Sequence, residues 1–387
     1  MQSVPPFSFS IINAGLVASH AVYPRASKVS RIPPFGKLEA SGSPRELGLQ
    51  HGEQARLKIA GFVGWMCESF KLREQDLARQ ARTFKPLLTR HCSVLLDEVA
   101  GLAAGAGIKF EAAMACQLRG ELIGHSAEAC TTFVLGPEGT TKGEVLIGQT
   151  SDMSDEMRDF AYVLHLHPED RPEVIMWTFG GMLGYHGVNE HGVAHFANSL
   201  GGGPRWQPGL SHYPLKRQIL EQQTLGEVRN LMRGYPVCSS GNYVLCDGTG
   251  SILDVELTAD GPAEITAGDD DFIAHSNHFL CGPLACSEND ALSLPDSFPR
   301  LDRISSLIRQ QAGSHNLETM KSILADHDGH PVSICRHPHD GPEDAILPNS
   351  GRTVAAIIAE PNQGKFHIAS GNPCEAPFVE YRLSRLA

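Results

Sequence analysis

The texture of this chain changes abruptly at Cys130, and that change limits the folds open to it. From residue 43 to about residue 124 apolar side chains recur near the helical period, with Leu47, Ala55, Ile59, Phe62, Val63 and Met66 in the first stretch. From Cys130 onward the chain breaks into short β-branched or aromatic runs with turn residues between them, the pattern of strands. Helices followed by a long mixed part with antiparallel-looking strands predict an α+β layered fold.

The helical part carries its own punctuation. Ser43-Pro44-Arg45-Glu46 offers a capping residue, a proline at the first helical position and a glutamate placed to close a capping box. The first helix is expected to run through Met66. Further helices are expected over 74–88 and 93–104, the latter stopped by Gly105 or Gly107, and a short one from Phe110 is expected to carry Arg119 and Glu121. Beyond Cys130, strands are expected at 131–135, 145–149, 162–167, 174–179, 193–198, 243–246, 252–257, 273–277, 354–359 and 365–369. Helices are expected at 213–223, 225–233, 297–311 and 317–325.

Composition excludes several function classes. With 32 basic against 44 acidic residues the net charge is -12, which opposes a nucleic-acid footprint. No apolar run is long enough to span a bilayer. At 387 residues and 41% hydrophobic content, one large domain or two average ones could bury a core without staples. Ten scattered cysteines without a Cys-x-x-Cys pair read as reduced and intracellular, so the expected location is cytoplasmic. Residues 1–30 are expected to form a disordered extension; the acid-free N-terminus is also compatible with organellar import. Ser384-Arg-Leu386 resembles a peroxisomal address but is followed by Ala387. Among the 18 histidines, His327-Asp-Gly-His330 and His337-Pro-His339-Asp340 match no helix-borne ligand spacing, and the nearby prolines read as a solvated loop. No metal and no cofactor are expected.

Cys130 alone would be a small buried hydrophobe. Its company is more informative: Gly148-Gln-Thr-Ser-Asp152 one hairpin later, then Ser276-Asn277-His278, then Ser333-Ile-Cys-Arg336. A thiol, a carboxylate, a side-chain amide and a guanidinium are the components of nucleophilic acyl transfer with a stabilised oxyanion.

These residues also carry a resemblance. Gly48-Leu-Gln-His-Gly52, Cys130-Thr-Thr, Gly192-Val-Ala-His-Phe-Ala-Asn198, Ser211-His212, His275-Ser-Asn-His278, Leu294-Pro-Asp-Ser297 and Pro331-Val-Ser-Ile-Cys-Arg336 occur in this order. In them the chain resembles the isopenicillin-N / 6-aminopenicillanate acyltransferase family, a branch of the N-terminal-nucleophile (Ntn) hydrolases, from about Leu38 to about Tyr381. The resemblance implies an αββα four-layer sandwich and a proenzyme cut between Ala129 and Cys130. Residues 31–129 would be a helical α chain and 130–387 a β chain of one intertwined domain.

It further implies Cys130 as nucleophile, Asp152 as the carboxylate beside its α-amine, and Asn277 with Asn198 at the oxyanion. Ser333 and Arg336 would bind substrate or support Cys130, an ion pair of Arg336 with Asp152 or Glu121 being the alternative. Arg119 and Glu121 would hold the precursor loop. Cys335 would be dispensable. The substrate would be a small linear amide or acyl thioester, with acyl-CoA as an admissible co-substrate, hydrolysis favoured over transfer, and no nucleic-acid or membrane partner. Where relatives often have glycine before the nucleophile and Asn-Trp-Asp further on, this chain has Ala129 and Thr150-Ser151-Asp152. The alternatives are a conventional cysteine hydrolase, active uncut with His186, His195 or His278 as base, and a catalytically dead binding homologue.

Overall fold

The computed structural model describes residues 33–123, 129–200, 209–282, 295–338 and 351–384. The expected N-terminal extension, Leu294, His339, Asp340 and the C-terminal Arg385-Leu386-Ala387 lie outside them.

The first layer is helical. Strand β1 (Lys37–Gly42) leads into α1 (Pro44–Gln54), whose capping box forms between Ser43 and Glu46. The helical pattern does not continue unbroken to Met66: Ala55 leaves helical geometry, with ψ 8°, and α2 (Arg56–Ser69) starts afresh. Helices α3 (Glu74–His91), α4 (Ser93–Ala106) and α5 (Phe110–Cys116) follow, and Gly107 ends α4 in the left-handed conformation, φ 72°. Arg119 and Glu121 sit on a separate helix, α6 (Arg119–Ile123).

Helices α1 and α4 touch backbone to backbone. A β carbon on Gly48 would lie 1.9 Å from the Glu98 carbonyl oxygen, and one on Gly101 would lie 2.1 Å from that of Arg45. Gly52 and Gly105 are as constrained. The Gly48-Leu-Gln-His-Gly52 stretch is therefore a packing motif: only glycine permits this approach. Its buried His51 meets the Tyr162 hydroxyl at 2.6 Å, and burial pushes the imidazole down to about 3.

Two sheets form the middle. The central pair is β2 (Ala129–Leu135) and β3 (Leu146–Met153), antiparallel in one sheet. Short helix α7 (Met157–Phe160) then leads to β4 (Ala161–Pro168), β5 (Val174–Phe179), β6 (His186–Asn189) and β7 (Ala194–Ser199) of the other. Helices α8 (His212–Ile219) and α9 (Leu225–Arg233) precede β8 (Gly241–Cys246), β9 (Ile252–Thr258), β10 (Gly261–Ile265) and β11 (Phe272–His275). Helices α10 (Ser297–Arg309) and α11 (Leu317–Leu324), then β12 (Arg352–Glu360), β13 (Lys365–Ala369) and β14 (Phe378–Arg382), complete the described elements.

One sheet runs β1-β4-β5-β6-β7-β8-β9-β10, antiparallel except for the parallel β1–β4 pair; the other runs β11-β2-β3-β12-β13-β14. They pack face to face, β2 against β7 and β8, and β11 against β8 and β9. Helices α10 and α11 cover the outer face of the second sheet, and α1 lies beside β1 and β4 of the first. The chain thus forms the expected αββα layers of an α+β sandwich.

Side-chain alternation along β2 separates two cores. Val134 joins the cluster shared by the two sheets and the first helical layer, while Phe133 and Leu135 pack with Ile304, Ile308 and Met320 beneath α10 and α11. Cys130 shares the parity of Val134 and so faces the opposing sheet. Asp152, paired with Ala129, takes the opposite face, toward α10.

Candidate active site

Cys130 is buried on an internal strand, and its backbone N–H and carbonyl are both gripped by side chains. Its N–H donates to Asn277 Oδ1 at 2.9 Å. Its carbonyl accepts from Asn198 Nδ2 at 3.2 Å, across the sheet interface from β7, and from Arg300 Nη1 at 2.6 Å. Asn198 is fixed in turn by the Thr132 hydroxyl at 2.9 Å. Sequence-predicted residues Cys130, Asn198 and Asn277 therefore meet around one residue.

Asn277 is immobilised by the motif that follows it in the chain. Its N–H donates to Ser297 Oγ at 2.7 Å, the same oxygen that meets His278 Nδ1 at 2.7 Å, and the Ser276 hydroxyl donates to the Ser297 carbonyl at 2.9 Å. The Ser-Asn-His and Pro-Asp-Ser stretches are thus two halves of one clamp. The Asn277 side chain presents its oxygen to the Cys130 N–H. Its Nδ2 donates to the Ser199 carbonyl at 3.0 Å and only weakly, at 3.3 Å, to the Ser199 hydroxyl.

Asp152 sits on β3 level with Ala129, the residue before the expected cut. Its Oδ1 accepts from the Thr353 hydroxyl at 2.7 Å, while buried Oδ2 has no hydrogen-bond partner among the described residues. Burial raises the pKa of this carboxyl, opposed by the positive charges of Arg336 and Arg300.

Arg336 does not pair with Asp152 or Glu121. Its guanidinium is bound to Asp296, whose carboxylate also accepts from Arg300 Nε at 3.1 Å. The Arg336 N–H donates to Thr353 Oγ1 at 2.9 Å, so Thr353 links Arg336 to Asp152. Ser333 is not brought to Cys130 by its hydroxyl, which donates to the Cys335 carbonyl at 2.8 Å and shapes the loop instead.

Arg300 is the site residue that the sequence reading missed. It is fully buried and makes four hydrogen bonds, to Asp296, Cys130, the Thr131 hydroxyl at 2.9 Å and Asn277 Oδ1 at 2.9 Å. The available signal was its place four residues after Asp296 at the start of a helix, where the two share a face.

The histidines considered as external bases are poorly suited to that work. Burial lowers His186 well below its ordinary range, and the ring stacks on Tyr185 with centroids 4.0 Å apart. Burial lowers His195 to about 3, and its Nε2 meets the Lys216 carbonyl at 3.0 Å. His278 is lowered to about 4, first by burial, and stacks on Phe298.

Arg119 and Glu121 lie just before residues 124–128, which are outside the described structure. The Arg119 guanidinium stands over the Trp65 and Phe179 rings, 5.3 and 5.7 Å from their centroids. The Glu121 residue is partly accessible, but its Oε2 is buried; its Oε1 accepts from the His212 N–H at 3.3 Å, and burial raises the carboxyl to about 7. Below the unfolded value of 4.5 both states are protonated and no penalty exists; as pH rises from there to about 7 the unfolded state ionises while the folded carboxyl keeps its proton, so stability falls across that window and levels off above it. Glu121→Gln removes that loss. Its stability relative to the wild type should therefore increase by roughly 3 kcal/mol from acid to pH 8. Urea unfolding of both proteins across this range checks it, and a pH-independent difference would contradict it.

The family model described as acyl-coenzyme A:6-aminopenicillanic acid acyl-transferase matches residues 139–375, more than half of the chain, beginning just after the Cys130 strand. The acyl-coenzyme A:6-aminopenicillanic-acid-acyltransferase 40 kDa form of Emericella nidulans is 24% identical over 341 residues, 84% of this chain and 93% of that protein. Among solved structures, penicillin V acylase from Agrobacterium tumefaciens aligns over 62% of this chain and 82% of its own, at 13% identity and a TM-score of 0.43. A mutant conjugated bile acid hydrolase from Clostridium perfringens aligns over 66% of this chain and 98% of its own, at 13% identity and a TM-score of 0.42. Among the described residues, no single helix is long and apolar enough to cross a membrane.

Proposed function

The chain belongs to the acyl-coenzyme A:6-aminopenicillanic acid acyl-transferase family, and from that premise we propose that it is an Ntn amidohydrolase or acyltransferase whose nucleophile is created by self-cleavage before Cys130. One observation carries the reading: the Cys130 backbone is held at its N–H by Asn277 and at its carbonyl by Asn198 and Arg300, with a half-satisfied buried carboxyl on Asp152 level with Ala129.

In the first stage Cys130 Sγ attacks the Ala129 carbonyl carbon. The Ala129–Cys130 C–N bond breaks, the thiol proton passes to the departing nitrogen, and the Ala129 acyl group becomes a thioester on Sγ. Water hydrolyses it, leaving an Ala129 carboxylate, a free thiol and a free α-amine on Cys130. An α-amine titrates near neutrality, so it serves as the base that an amide nitrogen cannot be. Asp152 Oδ2 supplies an acceptor for the protons this nitrogen gains, and its charge orients them.

In the second stage the thiol attacks a small linear amide or acyl thioester and gives its proton to the α-amine, which passes it to the leaving group. The Asn277 N–H that bonds only weakly to the Ser199 hydroxyl is the donor placed to turn to the oxyanion, supported by Asn198 and backbone N–H groups. The product is acyl-Cys130. Water releases the acid, or an acceptor amine takes the acyl group, acyl-CoA being a suitable donor. Hydrolysis is favoured because the described surroundings of Cys130 are polar: Thr132, Gln149, Ser151, Asn198 and Ser199. Arg336 acts through Asp296 and Thr353 as support. Residues 31–129 and 130–387 remain associated as α and β chains of one sandwich.

Intact mass after mixing with a short-chain acyl thioester tests the reading. The fragment that begins at Cys130 should gain one acyl group, localised to Cys130 by peptide mapping. Turnover without such an adduct, unaffected by removal of Cys130, would refute the mechanism.

A further inference from the structure

A second cluster of reactive side chains lies where the sequence suggested only a solvated loop. His327, Cys335, His337 and Cys374 come from three separate stretches of chain, yet their donor atoms all lie within 4.8 Å of one another. Cys335 Sγ is 3.7 Å from Cys374 Sγ and 3.7 Å from His337 Nε2. His337 Nε2 is 3.2 Å from Cys374 Sγ and 2.9 Å from His327 Nε2.

These spacings are close to the edges of a coordination tetrahedron. With Zn–S near 2.3 Å and Zn–N near 2.0–2.1 Å, a tetrahedral Cys₂His₂ site has edges of about 3.8 Å between sulfurs, about 3.6 Å from sulfur to nitrogen and about 3.3 Å between nitrogens. The donor set discriminates among metals as well. Two thiolates and two imidazoles in tetrahedral array suit zinc, and the thiolates would neutralise its charge, whereas magnesium and calcium prefer oxygen. We propose that His327, Cys335, His337 and Cys374 form a structural zinc site.

The surroundings fit ligands rather than loose side chains. Asn372 Nδ2 lies 3.4 Å from Cys335 Sγ, an N–H placed to support a thiolate, and also donates to the Arg336 carbonyl at 2.6 Å. Glu375 Oε1 faces His337 Nδ1 at 3.7 Å, on the side of the ring away from the cluster. Cys335 is buried, the histidines are half-buried and Cys374 is exposed, which leaves a path for the ion. Four protein ligands leave no open coordination position, so the role is structural.

Two ligands flank Arg336. The metal would staple residues 327–337 to the segment between β13 and β14, fixing the loop whose Arg336 backbone meets Thr353 and, through it, Asp152. Cys335, expected from sequence to be dispensable, becomes a ligand.

Zinc content, which is independent of whether Cys130 is a nucleophile, tests the site. The full chain purified under reducing conditions should hold close to one zinc per molecule by inductively coupled plasma mass spectrometry. Cys374→Ser, at an exposed position, and His327→Ala should each lower this at least about tenfold, while Cys281→Ser should not. Co²⁺ added to reduced metal-free protein should give the visible bands of a tetrahedral sulfur–nitrogen site. Reduced protein that takes up neither Zn²⁺ nor Co²⁺ overturns the proposal, as does zinc content unchanged by both cluster substitutions.

Discussion

Cys130→Ala should yield a single uncut chain with no turnover. The substitution is small: the side chain is buried on a strand whose neighbours are fixed by backbone pairing, and alanine already precedes it. The fold should therefore survive, and a folded, inactive, uncut protein separates chemical from structural failure. Both stages of the proposed mechanism require the same sulfur. Without it neither the internal thioester nor the acyl-enzyme forms. The remaining base and oxyanion contributions, each worth about 10²–10⁴-fold, have no nucleophile to act on. A conventional Cys–His enzyme would share the loss of turnover, but its wild type would work uncut. His186, His195 and His278 are all held low by burial, which leaves them weak bases at neutral pH.

Arg300→Met should slow self-cleavage by about a hundredfold, the scale of misplacing reacting groups by about 1 Å. The guanidinium joins four residues from three places in the chain: Cys130, Thr131, Asn277 and Asp296. It contacts the Cys130 carbonyl rather than the scissile one, so it is a positioning residue. Methionine approximates its length but removes the fork. Lysine keeps the charge without the fork and should recover only part of the rate. Cleavage rates of both variants, read beside their melting temperatures, decide the matter. A folded Arg300→Met protein that processes at the wild-type rate would remove Arg300 from the account.

Much of this was legible in the sequence, for reasons that differ by element. The Ser43–Glu46 capping box is local chemistry and appears as expected, as do α9 and β5 at their expected bounds. The expected strand 145–149 stopped short because Thr150-Ser151-Asp152 is polar; pairing of β3 with both β2 and β12 carries it to Met153 and brings Asp152 level with Ala129. Strands β1, β6, β10 and β14 were missed. β1, β10 and β14 are sheet-edge strands and β6 is only four residues long, so the pairing partner, rather than their own pattern, makes them strands. The meeting of Cys130, Asn198 and Asn277 followed from the motifs, but Arg300 did not, because its partners are distant in sequence. The Cys335–Cys374 proximity was invisible for the same reason: His327, His330 and His337 invited a local ligand spacing, while the fourth donor lies two strands later.

The most direct test of the account is the denatured mass of freshly purified wild-type protein. Two fragments, one ending at Ala129 and one beginning with a free α-amine at Cys130, are the predicted result. A single uncut chain that turns over an acyl substrate would contradict the claim that cleavage creates the nucleophile.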